Sequence, residues 1–118
     1  MTMSKLISLK QNKDFRRVYH RGKSIVFSSA VVYYIKNRRS DNRLGITVGK
    51  KLGGAVVRNR VKRIVRVAYS TVIDSVDVSN CHYDFVIVAR NKAAFIKSDR
   101  LTAELSAALK NAGLIKDE

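Results

Sequence analysis

The chain has 118 residues, with 24 Lys and Arg against 9 Asp and Glu, a formal net charge of +15 and a single cysteine. That length suits one domain, residues 1–118, and excludes two of ordinary size; one cysteine excludes an intramolecular disulfide and fits a reducing compartment. The opening MTMSKLISLKQNKDF holds no apolar run long enough for a signal peptide or a membrane span, so the protein is expected in the cytoplasm, with no membrane partner.

In chain order, Asn12 to His20 predicts a short helix. Asn12 serves as its N-cap, Phe15, Val18 and Tyr19 fall on one side, Lys13, Arg16 and Arg17 occupy the rest, and Gly22 stops it. Rings interleaved with cations suit an unpaired strand, whose bases stack and whose backbone is gripped, although rings at this spacing also serve as plain core. Ser24 to Asn37 is rich in β-branched and aromatic residues and reads as one long bent strand or as two short ones broken at Ser28 and Ser29. In an unbroken register Phe27, Ser29, Val31, Tyr33 and Ile35 share one face, and Val32 and Tyr34 take the other. A polar turn from Arg38 to Asn42 leads into a strand from Arg43, in which Leu44, Ile46 and Val48 alternate with Gly45, Thr47 and Gly49. These two strands are expected to pair as an antiparallel hairpin.

Gly53 and Gly54 end that strand, and the period changes. At about 100° per residue, Val57, Val61, Ile64, Val65, Ala68 and Val72 form one apolar stripe of a helix. Opposite it, Arg58, Lys62 and Arg66 stack at i, i+4 and i+8, with Asn59 and Arg63 in the neighbouring row. No acidic residue lies between Asp41 and Asp74, whereas Arg43, Lys50, Lys51, Arg58, Arg60, Lys62, Arg63 and Arg66 all do. Like charges at these spacings repel by about 0.2–0.5 kcal/mol per pair. A solvated helix face normally balances them with carboxylates, so the uncompensated rows point to phosphate. Asn59, between two arginines, adds hydrogen-bonding capacity toward sugars or base edges.

Asp74 to Asn80 reads as a polar connection and Tyr83 to Arg90 as a strand. The middle of that strand is apolar on both faces, with Phe85, Ile87 and Ala89 on one of them, which predicts an interior place in the sheet. Ser98 or Asp99 caps a last helix to about Ala112, in which Leu101, Leu105, Ala108 and Leu109 form the stripe and Gly113 the stop. The order helix, two or three strands, basic helix, strand, helix predicts an α+β fold with helices packed on a small, mostly antiparallel sheet. Acidic residues are scattered, His20 and His82 are far apart, and Cys81 beside His82 supplies no zinc-ligand spacing. Neither catalytic residues nor a metal site is therefore expected.

KKLGGAVVRNRVKRIVR, residues 50–66, closely resembles the signature of the bacterial ribonuclease P protein family, a basic helix with an Arg-Asn-Arg core after a Lys-Lys-x-Gly-x-Ala-Val turn. NKDFRRVYHRG at 12–22, RLGITVGKK from Arg43 and DFVIVAR at 84–90 extend the likeness over nearly the whole chain. Gly54 departs from it, at a position where the family more often has Asn. The resemblance implies the fold of the second domain of ribosomal protein S5, with a left-handed strand-helix-strand crossover against the usual hand. It further implies the non-catalytic protein subunit of an endoribonuclease, whose RNA subunit, positioning Mg²⁺, removes the 5′ leader of precursor tRNA. By the same resemblance Lys50, Lys51, Arg58, Asn59, Arg60, Lys62, Arg63 and Arg66 contact the catalytic RNA. Phe15, Tyr19 and Tyr33 line a cleft for the single-stranded leader, with Phe27 a weaker candidate. Two rivals stand beside this reading: a general RNA-binding or ribosome-associated module with no part in tRNA processing, and a ribonuclease acting alone through His20 or His82.

Overall fold

A computed structural model describes residues 6–115. Along them run α1 (Asn12–Arg21), β1 (Lys23–Val26), β2 (Ala30–Asn37), β3 (Arg43–Thr47), α2 (Ala55–Val72), β4 (His82–Ala89) and α3 (Ser98–Asn111), with short 3₁₀ turns at Lys50–Leu52, Ile73–Ser75 and Asn91–Phe95. The segment after Arg21 resolves into two strands, broken at Ser28 and Ser29 as one of the two readings had it.

The sheet order is β1-β2-β4-β3. β1 and β2 pair antiparallel, as do β2 and β4, whereas β3 runs parallel to β4. The expected hairpin between the second and third strands is therefore not formed, because β4 lies between them. The reason is in β4 itself. Its Val86 and Ile87 point to opposite faces and are both buried, so β4 suits the middle of the sheet, where α1 covers one face and α2 and α3 the other. β3 becomes the edge, and the chain before α1 adds to it through Leu9 N–H to Leu44 O at 2.9 Å and Leu44 N–H to Ile7 O at 2.8 Å.

One sheet face carries Val32, Leu44, Phe85 and Ile87 against Val61, Ile64, Val65 and Ala68 of α2 and Leu101, Leu105 and Leu109 of α3. The other face carries a smaller cluster in which Val18 of α1 meets Leu9 and Val86. The α3 stripe buries the four residues that the periodicity predicts. On α2, Val57 is only half-buried, and Tyr69 joins the stripe instead. The Tyr69 hydroxyl has no hydrogen-bond partner among the described residues; burial first, and the nearby Asp84 charge second, push its phenol up. The polar connection after α2 is interrupted by Val76, which is buried and bridges to Ile115.

The helix ends differ in detail from expectation. α1 and α3 enter from Gln11 and Lys97, whose backbones are extended and neither of which makes a side-chain cap, so Asn12 and Ser98 are first helical residues rather than caps. Gly22 stops α1 by close approach: a Cβ there would stand 2.5 Å from the Val18 carbonyl oxygen and 2.6 Å from that of Tyr34. Gly54 is the N-cap of α2, with no side-chain cap and open space where a Cβ would stand. Gly54→Asn is expected to stabilise the fold by about 0.5–1 kcal/mol, through a new cap hydrogen bond and a less free unfolded chain. The melting temperature should rise by about 2–5 °C; a fall would mean that Asn does not cap this helix.

Candidate nucleic-acid interface

α1 is fixed to the sheet by a buried charge cluster as well as by Val18. Asp84, in β4, is 0% exposed. Its Oδ1 accepts from Arg43 Nε at 2.8 Å and from Asn37 Nδ2 at 2.8 Å; its Oδ2 accepts from Arg43 Nη2 at 2.7 Å and also from Arg17 Nη2. Arg43 Nη2 lies 3.6 Å from Asp14 Oδ1 as well. Burial alone would push the Asp84 carboxyl up, but the hydrogen bonds from Arg43 and Asn37, with the charges of Arg43 and Arg17, hold it below the usual carboxylate range. Asp14 and Arg17 are three residues apart on α1, so both ties set which side of the helix meets the sheet. The sequence counts Arg43 within a run facing a polyanion; the structure places it inside the protein, neutralised by Asp84, because no other cation reaches that carboxylate from β3.

That orientation brings Phe15, Tyr19 and Tyr33 together. The rings of Tyr19 and Tyr33 meet edge to face, with centroids 5.0 Å apart and planes at 88°. The Tyr19 hydroxyl lies 2.8 Å from Thr47 Oγ1. Phe15 lies over Gly45, where a Cβ would come within 2.6 Å of two ring carbons. All three rings are half-buried, resting on Leu9, Val18 and Val86, with Ile35 and Val88 beside them. The sequence puts Ile35 on the Tyr33 face, and the alternation of β3 puts Gly45 and Thr47 on one face, but it gives none of these, nor Val88, a place in the cleft. Phe27 is elsewhere: before the break at Ser28 it stands with Val65, Ala68 and Leu101 beneath α2 and α3.

Gly45→Ala is expected to displace Phe15 and cost about 1–3 kcal/mol by overpacking. Combining it with Phe15→Leu should recover most of that stability in a double-mutant cycle. Strict additivity of the two costs would show that the ring does not stand on this glycine.

On α2, Asn59, Arg63 and Arg66 are exposed and Arg58, Arg60 and Lys62 half-buried; Lys50 and Lys51 are exposed on the 3₁₀ turn before the helix. Among the described residues the ion pairs are made by Arg17, Arg43 and Arg100, and none by a cation of α2. Arg60 differs from its neighbours. Its Nη1 donates to Ala94 O at 3.3 Å and its Nη2 to Ile96 O at 2.6 Å, which ties the Asn91–Phe95 turn to the helix. Sequence spacing could not show that engagement, since the partners are backbone carbonyls more than thirty residues away. Lys62 and Arg66 border a cavity of about 220 Å³ whose other walls include Leu9, Phe15 and Gly45. The basic helix and the aromatic cleft thus adjoin around the sheet's β3 edge.

His20 is exposed near the end of α1 and His82 half-buried at the start of β4. Among the described residues no group of three or more His, Cys, Asp or Glu side chains converges as metal ligands do. No described helix is long and apolar enough to cross a membrane. The arrangement offers unpaired cations for phosphates and fixed rings for bases.

The sequence model of the family described as Ribonuclease P matches residues 3–113. The chain belongs to the ribonuclease P protein family. It is 42% identical over 106 residues to the ribonuclease P protein component of Clostridium botulinum, which covers 90% of this chain and 94% of that one. With the component from Streptococcus agalactiae the identity is 39% over 113 residues, covering 96% and 100%. The solved structure of the Staphylococcus aureus RNase P protein superposes with a TM-score of 0.80 at 33% identity, over 95% of this chain and 100% of that one. For the RNase P protein from Thermotoga maritima the TM-score is 0.76 at 29% identity, over 88% and 96%. The α+β fold with its small mixed sheet is the family's, and the role that goes with it is that of a protein subunit in tRNA processing.

Proposed function

We propose that the chain holds the catalytic RNA of ribonuclease P and precursor tRNA together, while the RNA subunit, with the Mg²⁺ it coordinates, cuts off the 5′ leader in the cytoplasm. Lys50, Lys51, Arg58, Asn59, Lys62, Arg63 and Arg66 grip the catalytic RNA through phosphate and sugar. Phe15, Tyr19 and Tyr33 receive the unpaired leader, on whose bases rings stack without regard to sequence. Arg60 serves the first surface by positioning the turn it binds. One observation carries this reading: Phe15, Lys62 and Arg66 wall a single cavity, so a ring that receives the leader and cations that grip the catalytic RNA stand side by side and can hold the two RNAs together. The relatives named ribonuclease P protein component support it.

Reconstitution with a bacterial ribonuclease P RNA tests it. The chain should lower the Mg²⁺ concentration that cleavage requires and bind precursor tRNA more tightly than mature tRNA. Equal affinity for the two would favour a general RNA-binding module. Cleavage by the protein without RNA, lost in His82→Ala or His20→Ala, would replace this reading with a protein ribonuclease.

A further inference from the structure

Past the end of α3, the sheet face that α2 and α3 cover is left open. α3 stops at Asn111, Gly113 turns the chain with φ of 81°, and a concavity of about 480 Å³ remains over the ends of β1, β2 and β4. In register, Lys23 stands opposite Tyr34 and Tyr34 opposite Phe85; on the next rung of the same face Lys36 stands opposite Tyr83. Rings and ammonium groups therefore alternate across three strands. Tyr34 and Tyr83 meet at 6.1 Å and 71°, and both lean on buried Phe85, with centroids 6.4 and 5.8 Å away. Their positions are fixed from beneath while both remain half-buried. Arg21, at the end of α1, adds a third cation to the rim. Among the described residues, none of Arg21, Lys23 and Lys36 forms an ion pair.

We propose that this concavity is a second binding surface for unpaired RNA nucleotides, distinct from the cleft under α1. Adjacent residues of a strand point to opposite faces, so β2 presents Tyr33 to one surface and Tyr34 to the other. The volume lies in the range of small-ligand sites, large enough for a base and its phosphate, and only an unpaired base can lay its face on a ring lying within a concavity. Three cations that form no ion pair among the described residues, on a chain of net charge +15, favour an anionic strand over a protein segment or a neutral ligand. The surface uses none of the rings or cations assigned to the two interfaces above and stands whether or not their assignment holds.

The chain contains no tryptophan, so Tyr83→Trp in the full-length protein makes a sole reporter at this surface. Its emission should be quenched by a single-stranded oligouridylate hexamer, by the catalytic RNA alone or by precursor tRNA, and the RNA that quenches names the source of the nucleotides. Lys23→Glu with Lys36→Glu should abolish the quench and weaken its RNA by about tenfold or more, whereas Phe15→Ala, which weakens only binding at the other cleft, should leave the full quench in place once the RNA is saturating. Both lysines are exposed, so their reversal keeps the fold; in a Phe15→Ala background the same tenfold loss of hexamer affinity reads the surface without a new ring, should Tyr83→Trp not fold. The proposal is overturned by an unquenched reporter while anisotropy shows labelled hexamer bound, or by a quench that Phe15→Ala removes. It is equally overturned by a reporter already shielded from acrylamide before RNA is added, which would mean that the chain fills its own concavity. Emission that changes with protein concentration alone would assign the face to a second copy and overturn it too.

Discussion

Asp84→Asn is expected to cost about 3–5 kcal/mol of folding stability, the usual penalty for leaving a buried charge without its partner. The charge left behind is Arg43, whose side chain is only 10% exposed and which has Asp14, at 3.6 Å, as its remaining carboxylate. Arg43→Ala should cost nearly as much, because it strips Asp84 of two hydrogen bonds in a place that water does not reach. Arg17→Ala should cost far less, about 1 kcal/mol, since the Arg17 side chain is 35% exposed and solvent screens its charge. Replacing Asp84 and Arg43 together by Leu and Met should cost less than the sum, as no buried charge is then orphaned. A domain of this size has about 5–15 kcal/mol in hand, so urea unfolding resolves the ranking. An Asp84→Asn variant within 1 kcal/mol of the parent would show that the cluster does not hold α1 in place.

The same cluster sets an acid limit. The Asp84 carboxyl is held below the usual carboxylate range, so the folded state binds its proton more weakly than the unfolded chain does. Its contribution to stability is complete above about pH 4 and is lost as pH falls below that toward the folded-state value. The parent should therefore lose melting temperature steeply in that window, and Asp84→Asn, already without the contribution, should fall along a shallower line.

How far the sequence carries depends on whether a feature is local. The stripes of α2 and α3 follow from a period of 3.6, and all but Val57 are buried where the pattern puts them. Tyr33, Phe15 and Tyr19 converge because alternation and helical spacing each place a ring correctly and the sheet needs cover on that face. Strand partnership is another matter. Nothing between Arg38 and Asn42 forbids a hairpin; β4, some forty residues on, excludes it by taking both neighbours. Charge is equally deceptive: Arg43 and Arg63 look alike in a basic run, yet one faces Asp84 in the interior and the other faces water. Only the fold separates structural cations from available ones, as it does for Arg60 on its two carbonyls.

That separation makes the strongest prediction on the RNA side. With about six phosphates neutralised, the logarithm of affinity for the catalytic RNA should fall with that of salt at a slope near −5, which is about a thousandfold between 50 and 200 mM. Substituting Lys62, Arg63 and Arg66 together by Ala should halve the slope, leaving about a thirtyfold fall over the same interval. These residues form no ion pair among the described residues, so stability should stay level or rise as their mutual repulsion disappears. Phe15→Ala and Tyr33→Ala remove no charge: each should weaken precursor tRNA by about 1–3 kcal/mol per base stacked, with the slope unchanged. Arg60→Ala discriminates most finely, because Arg60 carries the same charge as Arg63 but spends its donors on Ala94 and Ile96. It should loosen the Asn91–Phe95 turn and lower affinity at every salt concentration without altering the slope. A drop of about one unit, as for Arg63→Ala, would mean that its guanidinium leaves those carbonyls for a phosphate when RNA binds.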